Sequence, residues 1–529
     1  MNRITILTLA SVAVVGLTLV GSAFWTPMIW SLVITVPILA LGFYDLHQTK
    51  HSILRNFPIL GHFRFLLEAI RPEIQQYFVE SDIDGRPYTR EQRSLVYERA
   101  KNARETMPFG TQLNVNAPGY EWVEHSIAAV SQDDVDLRVS VGNAQCKKPY
   151  SASILNVSAM SYGSLSSNAI LALNEGAMMG GFAHNTGEGG LSPYHEAGGG
   201  DIFWQIGTAY FGCRNNEDGT FSPEKFAERI SLPAVKMVEI KVSQGAKPGH
   251  GGILPAAKVT EEISQIRGVP MGKDVISPPS HTAFSTPLEM MDFIVQLREL
   301  SGGLPIGFKL CVGKPHEFIA ICKAMVETGV RPDFITVDGG EGGTGAAPVE
   351  FSDSVGAPLF FGLPFVHNAL VGFGLREEIR IIASGKVVNA FDLVKRFALG
   401  ADLCNAARAM MLALGCIQAR TCNSNMCPVG VATGDPNLVQ ALVVADKNKR
   451  VAQFHRELVS ATVELMAAMG VKSTNQIGPD HINCRVNETE VKNWAQIFPS
   501  LETGQLLDGG KVPDPYSSAL AAAKASSFV

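Results

Sequence analysis

The chain has 529 residues, of which 46% are hydrophobic, and carries a formal net charge of −6 with a pI near 6.1. That is enough apolar material for one large core with an appendage, and the mildly acidic balance without a basic stripe argues against a nucleic-acid-binding surface. Nine scattered cysteines are not a disulfide framework and point to a reduced, cytosolic main domain, while the 51 glycines fall in groups, as tight loops around a ligand would require.

No charged side chain occurs between Arg3 and Asp45. Such a run is too long for one membrane span and suits two of roughly 20 residues each. FWTPMIW (24–30) is the natural break, because Pro27 disfavours a continuous helix and Trp25 and Trp30 suit a membrane interface. The expected spans cover 4–24 and 28–45, so 1–50 reads as a transmembrane helical hairpin. Arg3, Lys50 and Arg55 flank it and the loop lacks Lys and Arg. The positive-inside rule therefore puts both ends, and the main domain, on the cytoplasmic side of the inner or cytoplasmic membrane. A signal peptide is the competing reading, since Gly21-Ser22-Ala23 faintly resembles a cleavage site, but a second apolar run follows at once.

Residues 51–120 read as a juxtamembrane helix followed by a cap or linker. HSILRNFPILGHFRFLLEAIRPEIQQYF (51–78) suits a helix lying along the membrane surface or an ordinary amphipathic helix packed on the main domain. Beyond it, eight β-like runs alternate with helical stretches: 152–158, 180–185, 237–242, 274–278, 306–311, 333–338, 379–384 and 401–406. Several are apolar without clean alternation, as buried parallel strands tend to be. The pattern predicts a (β/α)8 TIM barrel over 121–470, with a doubly wound open sheet as the competitor. The barrel is favoured because the polar and glycine-rich loops fall just after the strands, on the face where barrel loops converge. No GxGxxG opens a strand–helix unit, so no built-in dinucleotide domain is expected. Residues 471–529 read as a C-terminal tail, and 512–529 is small and polar enough to be loose.

SAMSYGSLS (158–166), HNTGEGG (184–190), EIKVSQGAKPGHGGILPAAKV (239–259), ISPPSH (276–281), DGGEGGTGAAP (338–348) and the spacing of Cys416, Cys422 and Cys427 before PVGVAT together resemble the FMN-binding synthase domain of glutamate synthase. The likeness runs over roughly 120–470 and is greatest to stand-alone members that carry a membrane segment in front. Three thiols at this spacing leave a buried thiol group or an incomplete zinc site open on chemistry alone; the resemblance implies that they hold a 3Fe-4S cluster, one thiolate per iron. The other six cysteines, Cys404 among them, read as packing residues. The family's amidotransferase domain is not matched here, and its usual glutamate in GEGG is His250.

The resemblance implies reductive amination of 2-oxoglutarate to glutamate through 2-iminoglutarate, reduced by hydride from FMN. A dianionic substrate needs cations, and Lys247 is the first choice, with Gln244 donating a hydrogen bond and Glu188 managing protons on the imine nitrogen. Ser158, Ala159 and Met160 would line the flavin edge, and Lys309 would stabilise charge at flavin N1 or form an ion pair inside the barrel. Gly339, Gly340, Ser384, Gly385, Lys386, Ala406 and Ala407 would cradle ribityl and phosphate largely by backbone N–H, and Arg408 would add a charge. His281 would touch substrate or cap a loop. The implied partners are ammonia, free or from a separate glutaminase, and a separate electron donor: a ferredoxin, an NADPH-oxidising subunit or a membrane carrier. Two other functions fit the same residues: an N-methylglutamate synthase-like enzyme using methylamine, and a membrane-bound flavin and iron–sulfur electron-transfer subunit.

Overall fold

The computed structural model describes residues 3–103, 106–135, 137–508 and 511–529. The chain divides into two compact units, one ending at Glu91 and the other beginning at Gln92, so the boundary falls inside the segment expected to be a cap or linker.

The first unit opens with two apolar helices, α1 (Arg3–Phe24) and α2 (Leu32–His47), joined by a short 3-10 segment, Thr26–Ser31. The break falls where the sequence puts it. Trp25 takes an extended backbone and Pro27 stands in the first turn that follows, where its missing N–H is not needed. Val12, Leu17 and Val20 on α1 and Val33 and Ile34 on α2 are exposed, as on helices that are hydrophobic all round. By length and composition, Ile4–Phe24 and Thr26–His47 could each span a membrane. Two shorter helices follow, α3 (Ser52–Asn56) and α4 (Gly61–Ile74).

The second unit is a closed barrel of eight parallel strands: β1 (Leu155–Val157), β2 (Ala183–Asn185), β3 (Asp201–Ile206), β4 (Val235–Lys241), β5 (Ile306–Cys311), β6 (Phe334–Asp338), β7 (Arg380–Ser384) and β8 (Leu403–Ala406). Each strand pairs with the next in sequence, and β8 closes on β1 with Asn405 opposite Asn156. This is the expected (β/α)8 barrel, with one strand reassigned. The run at 274–278 supplies only Val275–Ile276, which pairs antiparallel with Ile253–Leu254 outside the barrel. Its Ile276 is 66% exposed, and Pro278 and Pro279 follow directly. The third barrel strand is DIFWQI (201–206), whose Phe203 and Trp204 are buried.

Alternation along the strands builds two layers inside the barrel. Ala183, Phe203, Met237, Phe334, Ile382 and Leu403 form an apolar lower layer, closed from below by Val141 and Ala152 of an antiparallel hairpin, Arg138–Val141 with Tyr150–Ser153. Two residues further along the same strands stand Asn185, Gln205, Glu239, Thr336, Ser384 and Asn405, a polar layer directly beneath the mouth. The lower layer anchors the barrel and the upper one faces the chemistry.

The C-terminal segment is not loose. Ile482–Arg485 pairs with Glu121–Val123 and with Val491–Asn493, tying both ends of the unit into one small sheet. Trp494 is buried, Tyr516 stacks on Phe365 with ring centroids 5.1 Å apart, and Lys323 Nζ donates to the carbonyls of Leu520 and Ala523.

Candidate active site

The site is assembled at the C-terminal ends of the barrel strands. Lys241 is the last residue of β4, and by the period of two it points the same way as Met237 and Glu239, into the barrel. Its Nζ lies 2.8 Å from Glu188 Oε1 on the loop after β2. Glu188 is seated between glycines: a Cβ at Gly252 would fall 2.5 Å from its Oε1, and one at Gly207 2.7 Å from its own Cβ. Burial would raise the Glu188 pKa, but Lys241, Lys247 and Arg267 outweigh it and hold the carboxylate below its ordinary range. Burial pulls Lys241 down, with Glu188 opposing.

Lys247 is buried on the loop after β4, where its Nζ donates to Ala346 O at 3.2 Å. Desolvation lowers its pKa to about 8, with Glu188 opposing. Arg267 is likewise buried, donating to Tyr162 O from Nη2 at 2.9 Å, with its Nε–H unpartnered among the described residues. Its guanidinium lies 5.1 Å over the Phe211 ring, and burial lowers its pKa to about 10. Among the described residues neither Lys247 nor Arg267 has a carboxylate within ion-pair distance. Two desolvated cations therefore lack a partner anion.

The loops that frame these groups interlock by glycine. A Cβ at Gly245 would collide with Gly339 O, and one at Gly251 with Ser277 O. Gly245 N–H donates to Asp338 Oδ2 at 2.9 Å, and Ser277 N–H to Gly252 O at 2.9 Å. The loop after β4 is thus bound to the loop after β6 on one side and to the ISPPSH loop on the other. His250 Nδ1 donates to Gly251 O at 2.9 Å, and the ring packs edge-on against Phe351, ring centroids 5.3 Å apart.

One cavity gathers Ala159, Met160, Glu188, Gln244, Ala407 and Arg408 of the residues expected from sequence, and Lys241 and Gln205 besides. Gly343, Thr344 and Gly345 form its opposite wall, and Cys422 reaches it. Arg408 packs its guanidinium against Gly343, where a Cβ would lie 2.7 Å from Cζ and push the side chain aside; Arg408 Nη2 donates to Glu341 O at 3.1 Å.

The other expected residues stand at adjoining strand ends. Ser158 and Ser384 hydroxyls are 3.3 Å apart, and Ser158 N–H donates to Ala406 O. Gly385 and Lys386 both have positive φ, 156° and 40°, a sharp turn directly after β7. Gly339 and Gly340 donate their N–H groups to Ser384 O and Ala357 O, so these two bonds serve the barrel rather than a free anion cradle. Lys309 pairs with Asp338, Nζ to Oδ2 3.2 Å, as the ion pair inside the barrel. Burial opposes its charge, but Asp338 and Glu239 raise its pKa overall. His281 caps rather than reaches the cavity: Nε2 meets Lys241 O at 2.9 Å and Nδ1 meets Tyr210 Oη at 3.1 Å, while burial lowers its pKa to about 4 and keeps it neutral.

Glu239, the first residue of the EIKVSQGAKPGHGG stretch but given no role there, sits in the middle of the polar layer. It accepts from Asn185 Nδ2 at 2.9 Å, Gln205 Nε2 at 2.6 Å and the Thr336 hydroxyl. Asn405, in the same layer, leaves Oδ1 buried without a partner among the described residues.

Cys416, Cys422 and Cys427 lie on the loop after the helix Arg408–Leu414. Gln418, Arg420 and Asn425 have positive φ, so the loop is sharply coiled. Among the described residues no three His, Cys, Asp or Glu converge on a point for a single metal ion. The thiols are close enough to act on one another: burial raises Cys416 to about 11, the Gln418 N–H opposes, and Cys422 and Cys427 add to the rise. Lys258 is buried beside Cys422 and Cys427, its Nζ donating to Ser164 O at 3.1 Å and Ala432 O at 3.0 Å.

The conserved region in glutamate synthase matches residues 123–472. The glutamate synthase large subunit-like protein YerD of Bacillus subtilis is 38% identical over 507 residues, covering 87% of this chain and 95% of its own length. The archaeal-type glutamate synthase [NADPH] of Thermotoga neapolitana is 35% identical over 320 residues, 60% of each chain. Mandelate oxidase with benzoyl-formic acid superposes with a TM-score of 0.41 at 15% identity, over 81% of this chain and 98% of that one. With the matched region spanning the whole barrel and the cysteine loop, the chain belongs to the glutamate synthase domain family.

Proposed function

We propose that the chain is an oxidoreductase of glutamate synthase type, which joins 2-oxoglutarate to ammonia and reduces the resulting 2-iminoglutarate to glutamate. The observation that carries this reading is the pair of buried cations, Lys247 and Arg267, without carboxylate partners around an ionised Glu188. Two unpaired cations suit the two carboxylates of a dicarboxylic keto acid, since buried charges require pairing. Glu188, held ionised, accepts N–H bonds from the amine and keeps it against the keto carbon. Lys241, its pKa lowered by burial, is placed to give a proton to the departing oxygen, and Gln244 donates to the same substrate edge.

The residues present fit FMN and a 3Fe-4S cluster. Asn405 Oδ1 is a buried acceptor without a donor, suited to a flavin N–H or a ribityl hydroxyl. Arg408, admitted by Gly343, supplies a cation for the phosphate, and Ser384, Gly385 and Lys386 flank it at the β7 end. Three mutually coupled thiols suit an iron–sulfur cluster, which takes one thiolate per iron at a wider spacing than a single ion. When bound, the flavin would supply hydride to the imine carbon and the cluster the single electrons that replenish it. Cys422 reaches the substrate cavity, so electrons from a separate donor have a short path. The paired apolar helices anchor the chain in the cytoplasmic membrane with the barrel on the cytoplasmic side.

Anaerobic stopped-flow absorbance on the reduced, detergent-purified protein tests the reaction. Rapid flavin reoxidation that requires both 2-oxoglutarate and an amine supports it, and comparing ammonia with methylamine assigns the amine. A reduced flavin indifferent to every combination rejects it in favour of electron transfer to a partner.

A further inference from the structure

The helix α4 and its continuation, Gln75–Val79, form a surface that neither the barrel chemistry nor the spans use. Phe63, Leu66, Leu67, Ile70 and Ile74, at positions i, i+3, i+4, i+7 and i+11, fall on a single helical stripe about 100° wide, and all are exposed. Leu67 is 58% and Phe78 84% exposed. Arg64, Glu68 and Arg71 lie along one side of the stripe, with Arg64 Nη2 3.9 Å from Glu68 Oε1. The remaining side is the one that packs: His62 meets Asp45, and Phe65 stacks edge-on against His51 with ring centroids 5.2 Å apart. The helix therefore packs on one side at its start and carries an apolar, uncovered stripe flanked by Arg64, Glu68 and Arg71 on one edge and by the exposed Glu73 on the other.

The start of this helix is fixed to the end of α2. Asp45 is wholly buried there; its Oδ2 accepts Ile59 N–H at 2.9 Å, and His62 Nε2 lies 2.9 Å from Oδ1. Ile59 adopts φ 65°, a costly conformation for a β-branched residue, and its Cδ1 would be 3.1 Å from a Cβ at Gly42. Gly61 lets the helix begin against Leu54. The uncovered stripe thus begins on a helix pinned to the end of the second apolar helix, which itself carries exposed apolar residues such as Leu41 and Tyr44.

We propose that α4 and its continuation lie in the headgroup layer of a lipid bilayer, with the stripe in the acyl boundary and Arg64 and Arg71 toward anionic headgroups. The inference rests on reading α1 and α2 as membrane spans. A stripe of large apolar residues beside basic ones is what an interfacial helix needs, and the arginines would each gain from negative lipids.

The test uses the full chain in nanodiscs of phosphatidylglycerol and phosphatidylethanolamine, with p-benzoylphenylalanine replacing Leu17, Leu67 or Glu68 in turn. After irradiation, position 67 should give lipid adducts several times as often as position 68, with position 17 also lipid-linked. Adducts at 67 to residues 92–529 or to a second copy, with 17 still lipid-linked, would overturn the proposal and leave the anchor standing. Absence of lipid adducts at 17 would remove the anchor and the proposal together.

Discussion

Replacing Arg267 or Lys247 by Met removes one cation from the proposed keto-acid seat. A hydrogen bond to a charged group is worth about 1.5–3 kcal/mol, so each change should raise KM for 2-oxoglutarate by roughly 10- to 100-fold, with kcat less affected, in steady-state assays. Lys247 also sets a pH signature. With its pKa at about 8, its protonated fraction falls about tenfold per unit above that value. KM for 2-oxoglutarate should be flat below pH 8 and rise above it, and Lys247→Arg, which keeps its charge, should remove the rise. The stability sign is the reverse: an unfolded lysine stays protonated to about 10.5, so the unfolded chain binds more protons between these values and this residue's contribution to stability grows as pH rises through that window. Glu188, Gln244 and Lys247 were legible because motif loops carry them. Glu239 and Lys241 open the same motif but lie in its strand part, where a structural role is the default reading; their steps of two from Met237 were the available signal that they face the lumen. Arg267 sits at the end of a short helix, Glu261–Arg267, and nothing local marks it as buried.

At the scale of elements, the barrel stands or falls on how its loops close over one another. Gly245→Ala puts a methyl into Gly339 O, and no flexible side chain is there to yield. Such overpacking costs about 1–3 kcal/mol, and the loops after β4 and β6 should separate, seen as a lowered Tm and weaker flavin retention. Lys258→Met keeps the bulk but removes the charge that joins the Ser164 and Ala432 carbonyls beside the thiols. Iron and acid-labile sulfide per chain should fall, and the midpoint potential of what remains should shift negative, by EPR-monitored titration. Seven of the eight strands were readable as apolar runs. DIFWQI was missed because it follows a glycine run, and 274–278 was taken in its place because Val and Ile there have high β propensity; the prolines after it prevent a barrel ladder. The tail escaped a composition-based reading because its order comes from Tyr516 and Trp494, single aromatics that find partners elsewhere in the unit.

For the whole molecule, the division at Glu91 and Gln92 means that the barrel has its own core and its own closing sheet. Removing residues 1–79 should leave a soluble protein whose far-UV spectrum loses only the signal of the deleted helices and whose flavin and iron content per chain is unchanged, whereas the intact chain should need detergent. The apolar lower layer, stoppered by the hairpin beneath it, closes the lower end of the barrel and leaves its mouth at the C-terminal strand ends. On the proposed reaction, keto acid and nitrogen would enter through this mouth and glutamate would leave by it. A subunit delivering ammonia to this face would then sit over that mouth without blocking it, and traffic at the entrance would order the arrivals alongside the chemistry inside.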